Sequence, residues 1–567
     1  TLDLNGQRME CSGLFTNSGT TNWGGSPALH IASRFLISGD NEEEAGANFI
    51  VTGGALNSDN DFQDGSFVAD ATSNILINNG TTSVDWDGSG YYVGNIIAAS
   101  PFRSIVTSNN KCLNLTIPTG GALSASDAHT FTVAGDFTTS GGLIGKSALD
   151  FDGVDDSVNC GSDSSIDNIF DSGGTIEAWI KPDSDGENDR GTFASKVYWF
   201  ANVIGETGGK AKLAFKQHFD GDDTQWSTVS TDITIGKWNH VAITYDAGAV
   251  GNDPIMYVDG KQVAIAEDQA PTGTRNTDAS DDLFLGNYSH AGSSTFDGHI
   301  AMVRLFSDIR TEAELRADMF NAHADMSSTH LLEAMYQFDE GTGTDLDNAE
   351  GTAGADGTIT GASWAAAGTF TPGTSTLKMT GASKNINYIG DETIGHLHID
   401  AGQTTLNNLT VTDGTDTFTC ASVLIDSGAT FTTTSGTTTI TNEASSYAFK
   451  NGGTFNHNNG KIFVDFDTPN TGGSTEVQAN TFYDFEVAMN ATSSECSMRD
   501  LSGNAITILN DLTVTKGEFN TQAVGDALTI HGLTNIGANG FFLNDADQST
   551  DKVIHHGLIT NLGTYKI

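Results

Sequence analysis

The chain has 567 residues, 66 of them glycine and only 8 proline, and its 25 Lys and Arg face 72 Asp and Glu for a net charge of −47. That length exceeds the roughly 250–300 residues at which a single core stops growing, so two or more domains are expected. The charge repels a phosphate backbone and makes DNA and RNA poor partners, and no stretch approaches the roughly 20 apolar residues that a membrane-spanning helix needs.

Thr, Ser, Asn and Asp fill the spaces between short runs of Val, Ile, Leu and Phe, which is the composition of an all-β chain. The scattered acidic residues either solvate the surface or collect divalent cations. The five cysteines are odd in number and never form a CxxC pair, so neither a disulfide framework nor a zinc site is signalled. The text opens on TLDLNGQR without Met or a basic, apolar leader, as in a processed protein or a piece of a longer one.

In chain order, residues 1–145 read as a β-repeat scaffold, 146–366 as a separate domain, and 367–567 as scaffold again. The unit of the scaffold is strand, Gly or Asp turn, strand, as in FTVAGDFTTSGG from Phe131, VLIDSGATFTTTSG from Val423 and LTVTKGEFNT from Leu512. Text similarity sets Leu377 against Ile462, 85 residues on, as the start of a longer repeat. One such unit cannot bury its own apolar face, so successive units must stack, as a β-solenoid or as a row of small β-sandwiches. Matching repeat text on both sides of the middle domain implies an insertion or appendage on one continuous scaffold. Thr311, followed by Glu314 and helix formers, marks one short helix near the end of that insertion.

The middle domain carries SALDFDGVDDSVNCG from Ser147, GTIEAWIKP from Gly174, GKWNHVAITYD from Gly236, IMYVDGKQV from Ile255 and FDGHIAMVRLF from Phe296. IEAWI, HVAITY and IMYV alternate as strands of two packed sheets do, Asp259-Gly260 suits a hairpin turn, and Trp179 and Trp238 read as core. Arg304, inside an apolar strand, is expected to pair with a carboxylate. Together and in this order the five segments resemble the laminin-G-like domains of the concanavalin A-like lectin/glucanase superfamily. The scaffold text resembles the β-helical repeats of phage fibre proteins and bacterial adhesins. The implied fold is a laminin-G-like jelly-roll β-sandwich flanked by β-solenoid or β-sandwich repeats.

The resemblance implies recognition of a glycan or a surface protein, supported by calcium. Asp152, Asp155 and Asp156 share one tight loop, and Asp297 in a second Phe-Asp-Gly turn is positioned to approach it; such carboxylates suit Ca²⁺, and turn capping is the alternative. Trp226, Tyr198, Trp199 and Tyr288 are the aromatic candidates for ligand contact. The superfamily's glucanases carry ExDxxE on one strand, and here Glu177 stands alone. SGGLIGKS from Ser140 lacks the first glycine of a phosphate loop and reads as a linker. His396 with His398, and His555 with His556, find no third metal ligand nearby in sequence. The expectation is a non-enzymatic structural and recognition protein of a virion surface or an extracellular cell surface, self-assembling or bound to other surface proteins. A polysaccharide-degrading enzyme on a β-helix and a purely structural filament or sheath subunit are the alternatives.

Overall fold

In the strand Thr130–Val133, Phe131 and Val133 are buried while Thr130 and Thr132 stay half-exposed, as the two-residue period of a strand requires. What this leaves is one apolar edge per strand, which only another strand of the same kind can cover. In the computed structural model, Phe131 stands in register with Leu377, Leu377 with Leu397, Leu397 with Val423, and Val423 with Phe449. All of these pairings are parallel. Beyond the pairings, the rings of Phe485, Phe519, Phe542 and Tyr565 continue the stack at 5.0–6.0 Å between centroids.

The structure describes the strand backbone within residues 1–94, and from 95 to 566 all but residues 99–103, 107–109, 113, 119–121, 126–129, 140–146, 289–293, 327–330, 352, 366–368, 372–374, 389–391, 409–416, 442–446, 467–473, 478–480, 490–494, 499–505, 522–526 and 544–551. The candidate linker from Ser140 lies outside the described residues except for Ser147. Strands near the beginning follow the same rule, Ala28–Ile31 pairing in parallel with Asn48–Val51, then Asn74–Ile77, then Asn95–Ala98. Among the described residues, every strand ladder outside 149–364 is parallel and every ladder inside is antiparallel. Parallel stacking decides for the solenoid, because small sandwiches would show antiparallel pairs. The 85-residue repeat is not the structural unit. Leu377, Leu397, Val423 and Phe449 stack at steps of 20, 26 and 26 residues, so each rung is a quarter to a third of that length.

The middle domain leaves this ladder and returns to it. Ala122–Ala125 pairs with Thr369–Thr371, Thr130–Val133 with Thr376–Met379, and Phe137–Thr139 with Ser383–Tyr388. Between them sits a two-sheet sandwich. One sheet is centred on Gly174–Pro182, flanked by Asn239–Tyr245 and Asp297–Phe306; the other carries Trp199–Thr207, Lys210–Gln217 and Thr224–Thr228. Phe170, Trp199, Phe215, Trp226 and Tyr245 fill the space between with ring centroids 5.3–6.4 Å apart. The hairpin at Asp259-Gly260 has the two positive φ angles that an Asp-Gly turn supplies, 51° and 68°.

The helix Glu312–Asp318 forms with Thr311 as its cap and Glu314 closing the capping box. It is tied to the first sheet from beneath. Trp179 Nε1 donates to the Met319 carbonyl at 2.7 Å, and Arg304 donates to the Asn321 carbonyl at 2.6 Å and to Glu177 Oε1 at 2.6 Å. Arg304 thus has the carboxylate partner that its apolar setting demanded. Burial by itself would raise the Glu177 carboxyl, but Arg304 and His240 outweigh it and hold it at about 2. Ile97 of the solenoid strand Asn95–Ala98 belongs to the same apolar cluster as Trp179, Trp238, Met319 and Phe320, so that outward-facing residue has a buried place too.

Glu392 is only 4 % exposed within the solenoid. Burial raises its carboxyl to about 7, more than the hydrogen bonds from Thr139 and Thr393 lower it. A carboxyl raised in the folded state favours folding while it is neutral. Its contribution is therefore complete below the unfolded value near 4.5 and is lost as pH rises through 7. Denaturant unfolding of the wild type and Glu392→Gln should show the wild-type scaffold losing on the order of 3 kcal/mol relative to the variant between pH 4.5 and 8. A gap that does not change with pH would contradict this reading.

Candidate functional site

The strand Trp199–Thr207 turns Trp199, Ala201 and Val203 into the core, which sends Phe200 and Asn202 to the outer face of the sheet. Phe200 is in register with Lys216, and Lys216 with Gln225; Asn202 is in register with Thr192. These outward side chains, joined by Arg190, His218, Tyr288 and Ser294, line a cavity of about 200 Å³. The Tyr288 ring meets Phe200 edge-on at 4.5 Å, and His218 lies 5.4 Å from Phe200. Thr192 donates to the Asn202 carbonyl oxygen at 3.0 Å, which leaves the Asn202 amide N–H groups as donors.

Charge in this cavity is mixed. Asp223 accepts from His218 Nδ1 at 2.7 Å and stands 4.0 Å from Lys216 Nζ. Burial lowers the His218 imidazole more than Asp223 raises it, so a neutral ring faces the cavity at neutral pH. Among the described residues, none of the lining side chains is a carboxylate.

The acidic loop supports this cavity from behind. The Asp156 carbonyl accepts from Asn287 Nδ2 at 3.1 Å, and the Val154 carbonyl accepts from Thr295 Oγ1 at 3.1 Å. Asn287 and Thr295 flank the segment that carries Tyr288 and Ser294. Asp152, Asp155 and Asp156 bring ligand oxygens within 4.8 Å of one another. Burial and then the neighbouring Asp152 and Asp155 raise the Asp156 carboxyl, against the lowering effect of the Asp152 backbone N–H. Three mutually repelling carboxylates fit a hard divalent cation. Asp297 is the strand neighbour of Asp152, but its carboxylate accepts from Ser184 at 2.5 Å and does not join the group.

Two of the four aromatic candidates are at the cavity or beside it: Tyr288 lines it, and Tyr198 stands 6.3 Å from His218. The other two are corrected. Trp226 and Trp199 are both fully buried. Trp226 stacks on Phe215 and donates to Asp253 at 2.9 Å. In Thr224–Thr228 the buried positions are 224, 226 and 228, so Gln225 takes the outer face that Trp226 was expected to occupy. In the loop that follows Pro182, Asp185 and Asp189 accept hydrogen bonds from the backbone N–H groups of Glu206 and Gly205.

The solenoid holds a further cluster. His398 finds ligand partners in Asp400 and Asp426, the latter at 2.9 Å and supplied by the next rung. This group borders a groove of about 440 Å³ lined by Lys378, His396, His398, Ser422 and Tyr447. His555 is engaged by Thr534 and Tyr565, and His556 stacks on His531.

Residues 152–316 match the family model of the concanavalin A-like lectin/glucanases superfamily. No curated protein sequence matches the chain. Among solved structures, a putative carbohydrate binding protein from Bacteroides ovatus is similar at 19 % identity and a TM-score of 0.28, over 38 % of this chain and 58 % of that one. The chain thus spans somewhat over half of that protein's length. The carbohydrate-binding module of the Ruminococcus gnavus IT-sialidase, solved with α2,3-sialyllactose, matches at 16 % identity and a TM-score of 0.24, over 32 % of this chain and all of that one. A tailspike protein from an Escherichia coli O157:H7 bacteriophage matches at 11 % identity and a TM-score of 0.24, over 58 % of this chain and 59 % of the other.

The two classes of aromatic residue should separate by stability. Trp226→Ala is expected to cost about 3–5 kcal/mol, whereas Tyr288→Ala, at a half-exposed loop position, should cost less than about 1 kcal/mol. Denaturant unfolding of the two variants checks this, and equal losses would place Tyr288 in the core.

Proposed function

We propose that this protein is a non-enzymatic recognition protein of a virion or cell surface, in which the solenoid carries a sandwich that binds glycans at the Phe200–Tyr288 cavity. The observation that carries the reading is this cavity: two aromatic rings set against the Asn202 and Gln225 amides and the Arg190 and Lys216 cations on an outward sheet face. A sugar ring has apolar C–H faces and a rim of hydroxyls, and rings with convergent donors and acceptors suit both. Among the described residues the lining offers no carboxylate pair of the kind a glycosidase uses as acid and nucleophile, which favours binding over hydrolysis there. Placement at a surface rests on the likeness of the scaffold text to fibre and adhesin repeats.

Calcium at Asp152, Asp155 and Asp156 belongs to the same proposal. Through Asn287 and Thr295, a cation on that loop steadies the segment that presents Tyr288. The full chain should bind at least one class of glycan on an array, more tightly with calcium than with a chelator. Tyr288→Ala should weaken binding about tenfold, or roughly 1.4 kcal/mol, and Asp155→Asn should remove the calcium response. Silence across a broad array, from protein shown to be folded, would refute the glycan reading; binding indifferent to chelator would refute the calcium part alone.

One observation favours a second reading, a polysaccharide-degrading enzyme: the solenoid groove, where His396, His398 and Lys378 stand beside Asp400 and Asp426. His396 accepts or donates at 2.8 Å to Ser422, and burial lowers its imidazole, as suits a base near neutral pH. Release of reducing ends from a polysaccharide, abolished by His396→Ala, would establish this reading. No release across acidic and neutral polysaccharides leaves binding as the function.

A further inference from the structure

Arg190 stands out from the other arginines of the sandwich whose side chains are described. Arg275 is held by Asp171 and Asp278, Arg304 by Glu177, and Arg310 by Asp318. Arg190 is exposed and lines the cavity, and its guanidinium has no protein partner among the described residues. An arginine without a partner is notable in a chain that carries 72 carboxylates. Its own loop, residues 183–190, holds four of them, and three accept hydrogen bonds elsewhere: Asp185 from the Glu206 N–H at 2.8 Å, Asp189 from the Gly205 N–H at 2.5 Å and Glu187 from Thr295 at 3.5 Å.

That loop is built to hold this position. Asn188 and Asp189 take left-handed φ angles of 56° and 60° in succession, a conformation that costs other side chains about 1–2 kcal/mol each and that Asn and Asp tolerate best. Gly186 adds a positive φ of 74° where a Cβ would lie 2.4 Å from the Gly191 Cα and 2.6 Å from the Thr295 carbonyl oxygen. The Gly191 N–H closes the turn on the Asp185 carbonyl at 2.6 Å. Arg190 therefore emerges from a tight, anchored turn at the cavity rim, with Lys216 on the sheet floor as a second cation that Asp223 holds only at 4.0 Å.

From this geometry, and resting on the glycan reading above, we infer that the cavity selects an anionic sugar, one bearing a carboxylate or a sulfate group. Arg190 pairs with the anion through its planar fork, Lys216 adds a point charge, and Phe200 and Tyr288 pack against the ring. The cavity is smaller than the roughly 300–1,000 Å³ of a drug-sized site, so one charged sugar residue occupies it and the rest of the glycan leaves over the open side.

The test uses the folded full chain and matched immobilised glycans: a carboxylate-bearing one with its carboxyl-reduced form, a sulfated one with its desulfated form, and neutral oligosaccharides. At least one acidic member is expected to bind ten times or more tightly than its neutral counterpart, and which pair shows the gap identifies the anion. Arg190→Ala should erase that gap while leaving the weaker neutral binding, and Arg190→Lys should restore only part of it. Tyr288→Ala should weaken both members alike. Equal binding of acidic and neutral members, or an Arg190→Ala loss that falls equally on both, would overturn the inference and leave the glycan reading standing. No binding to any member would overturn both.

Discussion

The structure depends on one register: Phe131 and Val133 beside Leu377 and Met379, parallel strands separated by the whole of the sandwich in sequence. Strands pair only at about 4.8 Å, so the inserted domain must hand the chain back one strand spacing from where it took it. The junction is sealed by more than the ladder. The Thr380 N–H donates to the Val133 carbonyl at 3.0 Å, the Asn385 N–H to Asp136 at 2.8 Å, and Asn387 Nδ2 to the Thr138 hydroxyl at 3.1 Å. Met379 and Val133 sit in one apolar cluster with Ile399 and Ile425. The solenoid core is therefore continuous across the insertion, and the sandwich keeps a core of its own.

The same two-residue period that builds the scaffold also makes the cavity. A strand that commits alternate residues to a core hands the others to a surface without regard to their size. Phe200 is left on an outer face because Trp199 and Ala201 take the inner one. Once there, it is covered by Tyr288 and His218 to 7 % exposure, and the polar partners follow from register: Lys216 and Gln225 lie in its row. Loop residues join the row at the cavity, and several of the described ones are fixed by their own backbone geometry and hydrogen bonds. Left-handed residues, committed carboxylates and the Asp152 turn hold the rim in place.

The strand periodicity, the solenoid, the five sandwich segments, the capped helix and the partner of Arg304 were all legible, because each depends on local pattern or on a strong physical demand. The rung length was not. Turns of unequal length blur it, so text similarity linked Leu377 to Ile462 although their columns differ. Among the aromatic candidates, residue type argued for Trp226 and parity argued against it: in TQWST, counting alternate positions from the buried Thr224 puts Trp226 inside and Gln225 outside. The same count on WFANV exposes Phe200 and Asn202. Arg190 had no such signal, since a loop has no period. The third member of the group that His398 forms with Asp400 was also hidden, because Asp426 is 28 residues away from His398 in sequence and one rung away in space.

The return of the chain to an adjacent rung has a mechanical meaning. Tension applied along the stack passes from one rung to the next through ladder hydrogen bonds and packed side chains. Because Thr130–Val133 is bonded directly to Thr376–Met379, that load crosses the insertion without entering it. The sandwich lies beside the load path, joined to the scaffold by its two chain ends, which the rungs hold together, and by the apolar cluster it shares with Ile97. A pull that would stretch a domain strung in series leaves this one slack until the two rungs part, so the cavity keeps its shape while the scaffold bears force.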